Sequence, residues 1–409
     1  MKFDTIIIGC GLAGLTAGIR LAEQGHRVAI ISRGGSSLLF NTGSLGLMGF
    51  GADGAQLAAW ADGLAALPPE HPYARVGISR VPDFAAQARD LLSRCGLSFS
   101  GSASGDNHQR LSPVGLLRPA WLTMEGLLTH NYLTSALHAS VVGLAGFLDF
   151  YPRFIAASLR ERGVTCDVFT VDTPDLRALR ASATEMRAAN IARALRGDAL
   201  ERLAGEINRH KLPADTVLIL PAAVDMTLRA ELCRLTGRTV LFAPTLGASV
   251  PGMHIAEAMI RRFKSLGGRI FNGHTVVSGT FGGSALKSVA TDKLDGDELL
   301  ADNFVLASGS FYGRGLVATP TAVVEPVFGL DVAAPAERAD WFADNMFAPQ
   351  SVMKSGVVAD AQFRASRGSV TLENLYVAGS VLAGADSVHE ESGAGVAMLT
   401  ALAVAELLN

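Results

Sequence analysis

Phe3-Asp4-Thr5-Ile6-Ile7-Ile8-Gly9-Cys10-Gly11-Leu12-Ala13-Gly14, continued by Leu15–Gln24, Gly25 and Val28-Ala29-Ile30-Ile31-Ser32, is the stretch on which the fold turns. The apolar opening run reads as a strand of a parallel sheet buried on both faces. The glycines that follow have G-x-G-x-x-G spacing. Gly9 suits a tight turn, Gly11 a close approach of backbone to a pyrophosphate, and Gly14 the packing of helix on strand. Leu12 and Ala13 fall inside the same loop, at the start of a helix whose free N–H groups and positive dipole end suit phosphate. Gly25 is placed to end that helix, and Val28–Ile31 is the next strand. The unit predicts a dinucleotide-type phosphate site at the start of the chain. An acidic residue usually follows the second strand and binds ribose hydroxyls. Ser32 and Arg33 stand there instead. Ser32 offers one hydrogen bond, and Arg33 either covers an adenine, meets a 2′-phosphate, or is a solvated loop residue.

Outward from this unit, the loop Gly34–Gly46 mixes small, polar and glycine residues, with Asn41, Thr42, Gly43 and Ser44 able to lie flat against a planar ligand. Ordinary turn chemistry is the competing reading for Thr42 and Ser44. Pro68-Pro69 suggests a boundary, and residues 73–245 differ in texture from their flanks. Helices are expected at Phe84–Arg94, Phe150–Arg162 and Asp175–Leu195. Strands are expected at Ser140–Leu144, Val164–Val171, Asp215–Leu220 and Thr239–Phe242. The expected division is therefore residues 1–72 plus 246–409 as one domain, with 73–245 inserted. After a helix over Pro251–Leu266 come short β pieces, among them Glu298–Ala301. Two buried strands, expected over Asp302–Ser310 and Glu373–Ser380, then run into small residues, at Ala307-Ser308-Gly309 and at Ala378-Gly379-Ser380. A glycine-rich loop leads to a final amphipathic helix over Val396–Leu408. In a parallel sheet, ligands bind beyond the carboxyl ends of the strands, so both turns should share a crevice with Gly9–Gly14. The final helix, from Gly393, Gly395 and Val396, can aim N–H groups at an electron-poor ring carbonyl. The expected fold class is α/β, a Rossmann-like FAD/NAD(P)-binding domain with an inserted second α/β domain.

Composition narrows the function. Apolar residues are 49% and charged residues 18%, which suits either a large α/β core or a surface partly covered by a partner. A net charge of −3 gives no reason to expect nucleic acid. No run of eighteen apolar residues without charge occurs, so no membrane span is expected, and with a strand at the start no signal peptide is expected. Cys10, Cys95, Cys166 and Cys233 are far apart, form no C-x-x-C, make neither a ferredoxin-type cluster motif nor a disulfide framework, and fit a reducing cytoplasm. Cys10 is expected to matter for its size rather than its thiol. No metal site is expected.

The glycine-rich start and the C-terminal loop and helix resemble two-dinucleotide-binding-domain flavoproteins related to fumarate reductase flavoprotein. The resemblance implies a pyrophosphate on Gly9, Gly11 and Gly14, and an isoalloxazine near Gly379, Ser380, Gly393 and Gly395. Some relatives attach flavin through a histidine after the second strand. No histidine lies between Arg33 and Glu70, so non-covalent flavin is expected. More specific segments include Ser32-Arg33-Gly34, Thr42-Gly43-Ser44-Leu45, Ala183-Thr184-Glu185, Ala307-Ser308-Gly309-Ser310-Phe311, Phe347-Ala348-Pro349-Gln350 and Gly379-Ser380-Val381-Leu382. These resemble the B subunits of anaerobic glycerol-3-phosphate dehydrogenases. That resemblance implies a cytoplasmic-face enzyme whose catalytic flavoprotein, the A subunit, oxidises glycerol 3-phosphate to dihydroxyacetone phosphate. The C subunit holds iron–sulfur clusters at the membrane, and electrons reach quinone. The resemblance implies FMN, whereas the glycine motif argues for FAD. The flavin is expected to pass electrons on rather than take the first hydride. The alternatives are a free-standing NAD(P)H-linked flavin oxidoreductase and a flavin-less scaffold. His389, Glu390 and Glu391 lie in the loop expected to face the flavin, with His389 and Glu391 as candidate proton-transfer residues, against the reading of an exposed charged loop tip. His108, Arg110 and Arg118 are candidates for gripping an anion, against an ion-paired surface reading.

Overall fold

The computed structural model describes residues 2–409 except 103–104, 133–137, 182–184 and 295. The expected segment Ala183-Thr184 lies outside the described residues. Strand β1 (Lys2–Ile8), helix α1 (Leu12–Glu23) and strand β2 (Val28–Ser32) form as the sequence predicts. β1 is the inner strand of an eight-stranded sheet, between β2 and the strand Glu298–Leu306. The parallel register is level: Ile8 lies opposite both Ile31 and Leu306, and Leu306 lies opposite Val377. Four strands therefore end at one height, and the turns after them open onto one side. β1 from Thr5 onward and all of β2 are largely buried, with side chains pointing to both faces of the sheet, which is why they read as continuous apolar runs.

Two expected pieces, Glu298–Ala301 and Asp302–Ser310, prove to be a single strand, Glu298–Leu306. Asp302 and Asn303 look like a break, yet the strand changes neighbour rather than ending. Its first half pairs with Ala285–Thr291 and its second half with Val370–Val377. The expected helix Asp175–Leu195 is instead two short helices, Pro174–Arg180 and Ala188–Ala194, the second entered from Arg187 in extended conformation. The final helix, Gly393–Leu407, is not amphipathic: every residue from Gly395 to Ala405 is buried. A helix apolar all round belongs inside, and this one lies between α1 and the helices Pro72–Val76 and Val81–Arg94. Those two helices thus pack on the large sheet's side of the molecule. The expected insert contributes a separate four-stranded parallel sheet in the order Val240–Ala243, Val217–Pro221, His138–Leu144, Thr165–Val171. A small sheet joins Ser44–Leu45 to Leu122–Met124 and Phe99–Ser100, and so ties the loop after β2 to the following segment.

Candidate functional site

The level strand ends build a cleft, open to solvent, on the carboxyl side of the sheet. Gly9 and Gly11 form one wall, Ser32 and Arg33 a second, and Ala307, Ser308, Gly309 and Ser380 a third. The glycines play different parts. Gly9 has φ +119, and a Cβ there would overlap the carbonyl of Ala307. A Cβ on Gly14 would overlap the carbonyl oxygen of Gly9. Both are required by the chain itself. Gly11 is different: its Cβ would meet only Ser36, at 3.8 Å, so the protein leaves that space open. A cradle bare of side chains, at the N-terminus of α1, is what a pyrophosphate needs. Ser308 Oγ lines the same cleft and is buried without a hydrogen-bond partner, which leaves a polar atom for a ligand to satisfy.

The cleft continues past the phosphate cradle along Gly34–Ser37 to His274, Thr275 and Val276. That extension gives room for an adenosine half and fits FAD. Arg33 is exposed there, while the Ser32 hydroxyl donates to Gly34 O at 3.1 Å within its own turn. The Cys10 thiol is pushed up to about 11 by burial and stays protonated, so no redox role falls to it.

Of the residues expected around the flavin ring, Ser380 lines this cleft, whereas Asn41, Thr42, Gly43, Ser44, Gly379, Gly393, Gly395 and Val396 do not. Asn41 caps its own turn, accepting from Gly43 N at 2.8 Å and donating to Ser44 O at 3.0 Å. Ser44 Oγ is 2.9 Å from Thr123 Oγ1, and Thr42 is half-buried beside it. Gly379 packs on Ala13 and donates to Thr400 Oγ1 at 2.8 Å. Gly393 opens the final helix. Gly395 N–H donates to Gly46 O at 2.9 Å and Val396 N–H to Ser392 O, so these two N–H groups are held by protein. Leu12 and Ala13 form the first turn of α1.

His389 and Glu391 do not pair with one another. Glu391 Oε1 accepts from Arg118 Nε at 2.5 Å, with Arg110 at 3.7 Å. His389 Nε2 is buried without a partner. The histidine–carboxylate pair that forms in this loop is His71–Glu390, at 3.2 Å, with both side chains buried. Burial raises the Glu390 carboxyl, but His71, the Ser392 hydroxyl and the Asp386 N–H outweigh it and hold it below the usual carboxylate range. Tyr73, beside this pair, donates to Leu47 O at 2.6 Å, and burial and the Glu390 charge push its phenol well up. Sequence reasoning missed His71 because its partner is 319 residues away. A histidine just before Pro72, at a helix start, was the only local signal.

Among the described residues no cluster of three metal-ligating side chains occurs, and no helix is long and apolar enough to cross a membrane. Residues 4–396 match the family model described as FAD binding domain. The chain is 42% identical to the B subunit of anaerobic glycerol-3-phosphate dehydrogenase from Yersinia enterocolitica, over 99% of this chain and 98% of that one. It is 37% identical to the protein of that name in Pectobacterium atrosepticum and 34% identical to that of Vibrio vulnificus, again over 99% of this chain. Similar solved structures include 3-ketosteroid Δ1-dehydrogenase from Sterolibacterium denitrificans. It is 11% identical at TM-score 0.45, over 100% of this chain and 99% of that one. Quinol fumarate reductase from E. coli is 10% identical at the same TM-score, over 100% and 70%. A glycine cradle at the strand ends and identity along the full length agree: the chain is a flavin-dependent oxidoreductase subunit that belongs to the FAD binding domain family and, within it, to the family of anaerobic glycerol-3-phosphate dehydrogenase B subunits.

Proposed function

We propose that this chain carries a non-covalent FAD on the electron path from glycerol 3-phosphate to quinone, downstream of the subunit that takes the first hydride. The observation that carries this reading is the open cradle at Gly11 on the level strand ends, in a chain whose relatives are named as subunits of that dehydrogenase. The residues we assign to the cofactor are the following. Gly9, Gly11, Leu12, Ala13 and Gly14 face the pyrophosphate. Ser32 and Arg33 face the adenosine. Ala307, Ser308, Gly309, Gly379 and Ser380 line the middle. Asn41, Thr42, Gly43, Ser44, Gly393, Gly395 and Val396 surround the ring. When bound, the flavin supplies reversible uptake and release of electrons. The chain's part is to hold it, to exclude water and to place His389 as the candidate proton carrier. Glu391 we assign to its two arginines.

The partners in this reading are the catalytic flavoprotein, or A subunit, and the iron–sulfur protein, or C subunit, which holds the assembly at the cytoplasmic face of the membrane. The division into residues 1–72 with 246–409, and an insert of 73–245, belongs to the same proposal. The test is anaerobic addition of glycerol 3-phosphate to the purified chain while flavin absorbance is followed. The reading predicts no bleaching until the catalytic flavoprotein is added. Bleaching of the isolated chain at the rate of the whole complex makes this chain the primary hydride acceptor. Bleaching by NADPH instead favours a free-standing reductase.

A further inference from the structure

Outside the nucleotide cleft, the hairpin of His108–Leu111 and Leu117–Ala120 sets Arg110 directly opposite Arg118. Opposed residues of an antiparallel pair share a face, and alternation puts His108 on the same face as Arg110. Two guanidiniums so placed repel one another. One carboxylate, Glu391, faces both: it is 2.5 Å from Arg118 and 3.7 Å from Arg110. The second distance is too long for a hydrogen bond, so Arg110 meets Glu391 as an ion pair only and Glu391 does not satisfy the donors of its fork. The two arginines against one carboxylate leave a net positive charge in a largely enclosed place. Arg110 and Glu391 are 19% and 15% exposed, and Arg118, at 38%, is the most open to solvent of the three.

Neighbouring groups also await a partner. His108 Nε2 is 2.7 Å from Thr123 Oγ1, and its Nδ1 is buried with none. His389 Nε2, two residues before Glu391, is in the same condition. Desolvation pulls the Arg110 guanidinium below its usual value; Glu391 opposes this and Arg118 adds to it, so a bound anion would relieve the strain.

We propose that Arg110 and Arg118 form a binding site for a small organic phosphate, entered beside Arg118, in which the phosphate displaces the Glu391 carboxylate and engages the Arg110 fork. Two guanidiniums match a dianion better than a monoanionic carboxylate, and their planar forks bind phosphate oxygens in pairs. Binding here goes beyond the electron path proposed above and does not require hydride transfer to this chain's flavin. The phosphate-bearing substrate or its oxidised product is the chemistry the site would take.

The experiment is calorimetric titration of the purified full chain with glycerol 3-phosphate, inorganic phosphate and uncharged glycerol. Both phosphates should bind saturably and glycerol should not. The Arg110→Gln/Arg118→Gln double variant should bind the phosphates at least roughly tenfold more weakly, on the scale of charge-assisted hydrogen bonds. Glu391→Gln removes the competing carboxylate and should tighten binding several-fold, a gain that misfolding cannot imitate. No saturable heat with either phosphate at millimolar concentration overturns the proposal, as does weaker binding by Glu391→Gln. Because heat is read rather than flavin reduction, failure here leaves the electron-path reading standing, and failure there leaves this one.

Discussion

Gly11→Val separates the needs of the fold from those of the ligand. Gly9 and Gly14 are glycines because backbone atoms fill the space a Cβ would take. Gly11 has φ −85 and ψ −171, where any residue is at ease, and only Ser36 nearby. The variant should melt like the parent in its flavin-free form and purify without yellow colour. Full flavin occupancy in a folded Gly11→Val protein places the phosphate site elsewhere. A second prediction at this scale concerns Glu390. Its depressed carboxyl contributes stability that is complete above the ordinary carboxylate range and is lost as pH falls through the depressed value. Denaturant unfolding at neutral pH and near about pH 4 should show the parent losing more stability than Glu390→Gln does, although removing one partner of a buried pair costs the variant about 3–5 kcal/mol at neutral pH. Equal losses on acidification would show that His71–Glu390 adds nothing to the acid response. The glycine loop is legible in the sequence because its spacing is a local, covalent fact. The His71–Glu390 pair is not, since only tertiary folding brings positions 71 and 390 together. His389–Glu391 looks like the better pair because neighbours in sequence are easy to see. In the structure Glu391 adopts a left-handed conformation, φ +50, and its side chain goes to the arginines instead.

Among the elements, the final helix shows how the site is fixed from behind. Thr400 sits mid-helix, donates to Val396 O at 2.6 Å and accepts from Gly379 N–H at 2.8 Å. The hydroxyl thereby anchors the turn after Val370–Val377 to the helix core. Thr400→Val keeps the shape but leaves a buried N–H without an acceptor, which costs about 1–3 kcal/mol. The expected result is a lower melting temperature for the flavin-loaded protein. An unchanged melting temperature would show that the turn finds another partner. Strand positions are readable because buried parallel strands are apolar runs bounded by glycine or small residues. The final helix reads as amphipathic because Thr400 and the scattered small residues suggest a polar face, whereas every side of that helix is covered. Asp302-Asn303 reads as a break in the strand Glu298–Leu306. Exposed polar residues can stay in a strand when its neighbour changes there, and no pattern in one strand reports its neighbours.

At the scale of the whole molecule, a level-ended parallel sheet places one cradle, a packed final helix closes the back, and the arginine hairpin faces the loop leading into that helix. The α/β class and the nucleotide end of the site can be inferred from sequence. The strand order of the insert, 240–243 beside 217–221, 138–144 and 165–171, cannot, because parallel pairing is set by crossovers rather than by local pattern. The anion candidates are visible as residue types only. That Arg110 and Arg118 are opposed across a hairpin and share Glu391 is a consequence of register. The central claim is that the cleft holds a dinucleotide flavin by contacts alone. Acid precipitation of the purified chain, followed by mass measurement of the supernatant chromophore, tests this most directly. Free FAD in the supernatant and a colourless pellet are expected. A yellow pellet, FMN in place of FAD, or a chain that carries no chromophore at all would contradict the claim.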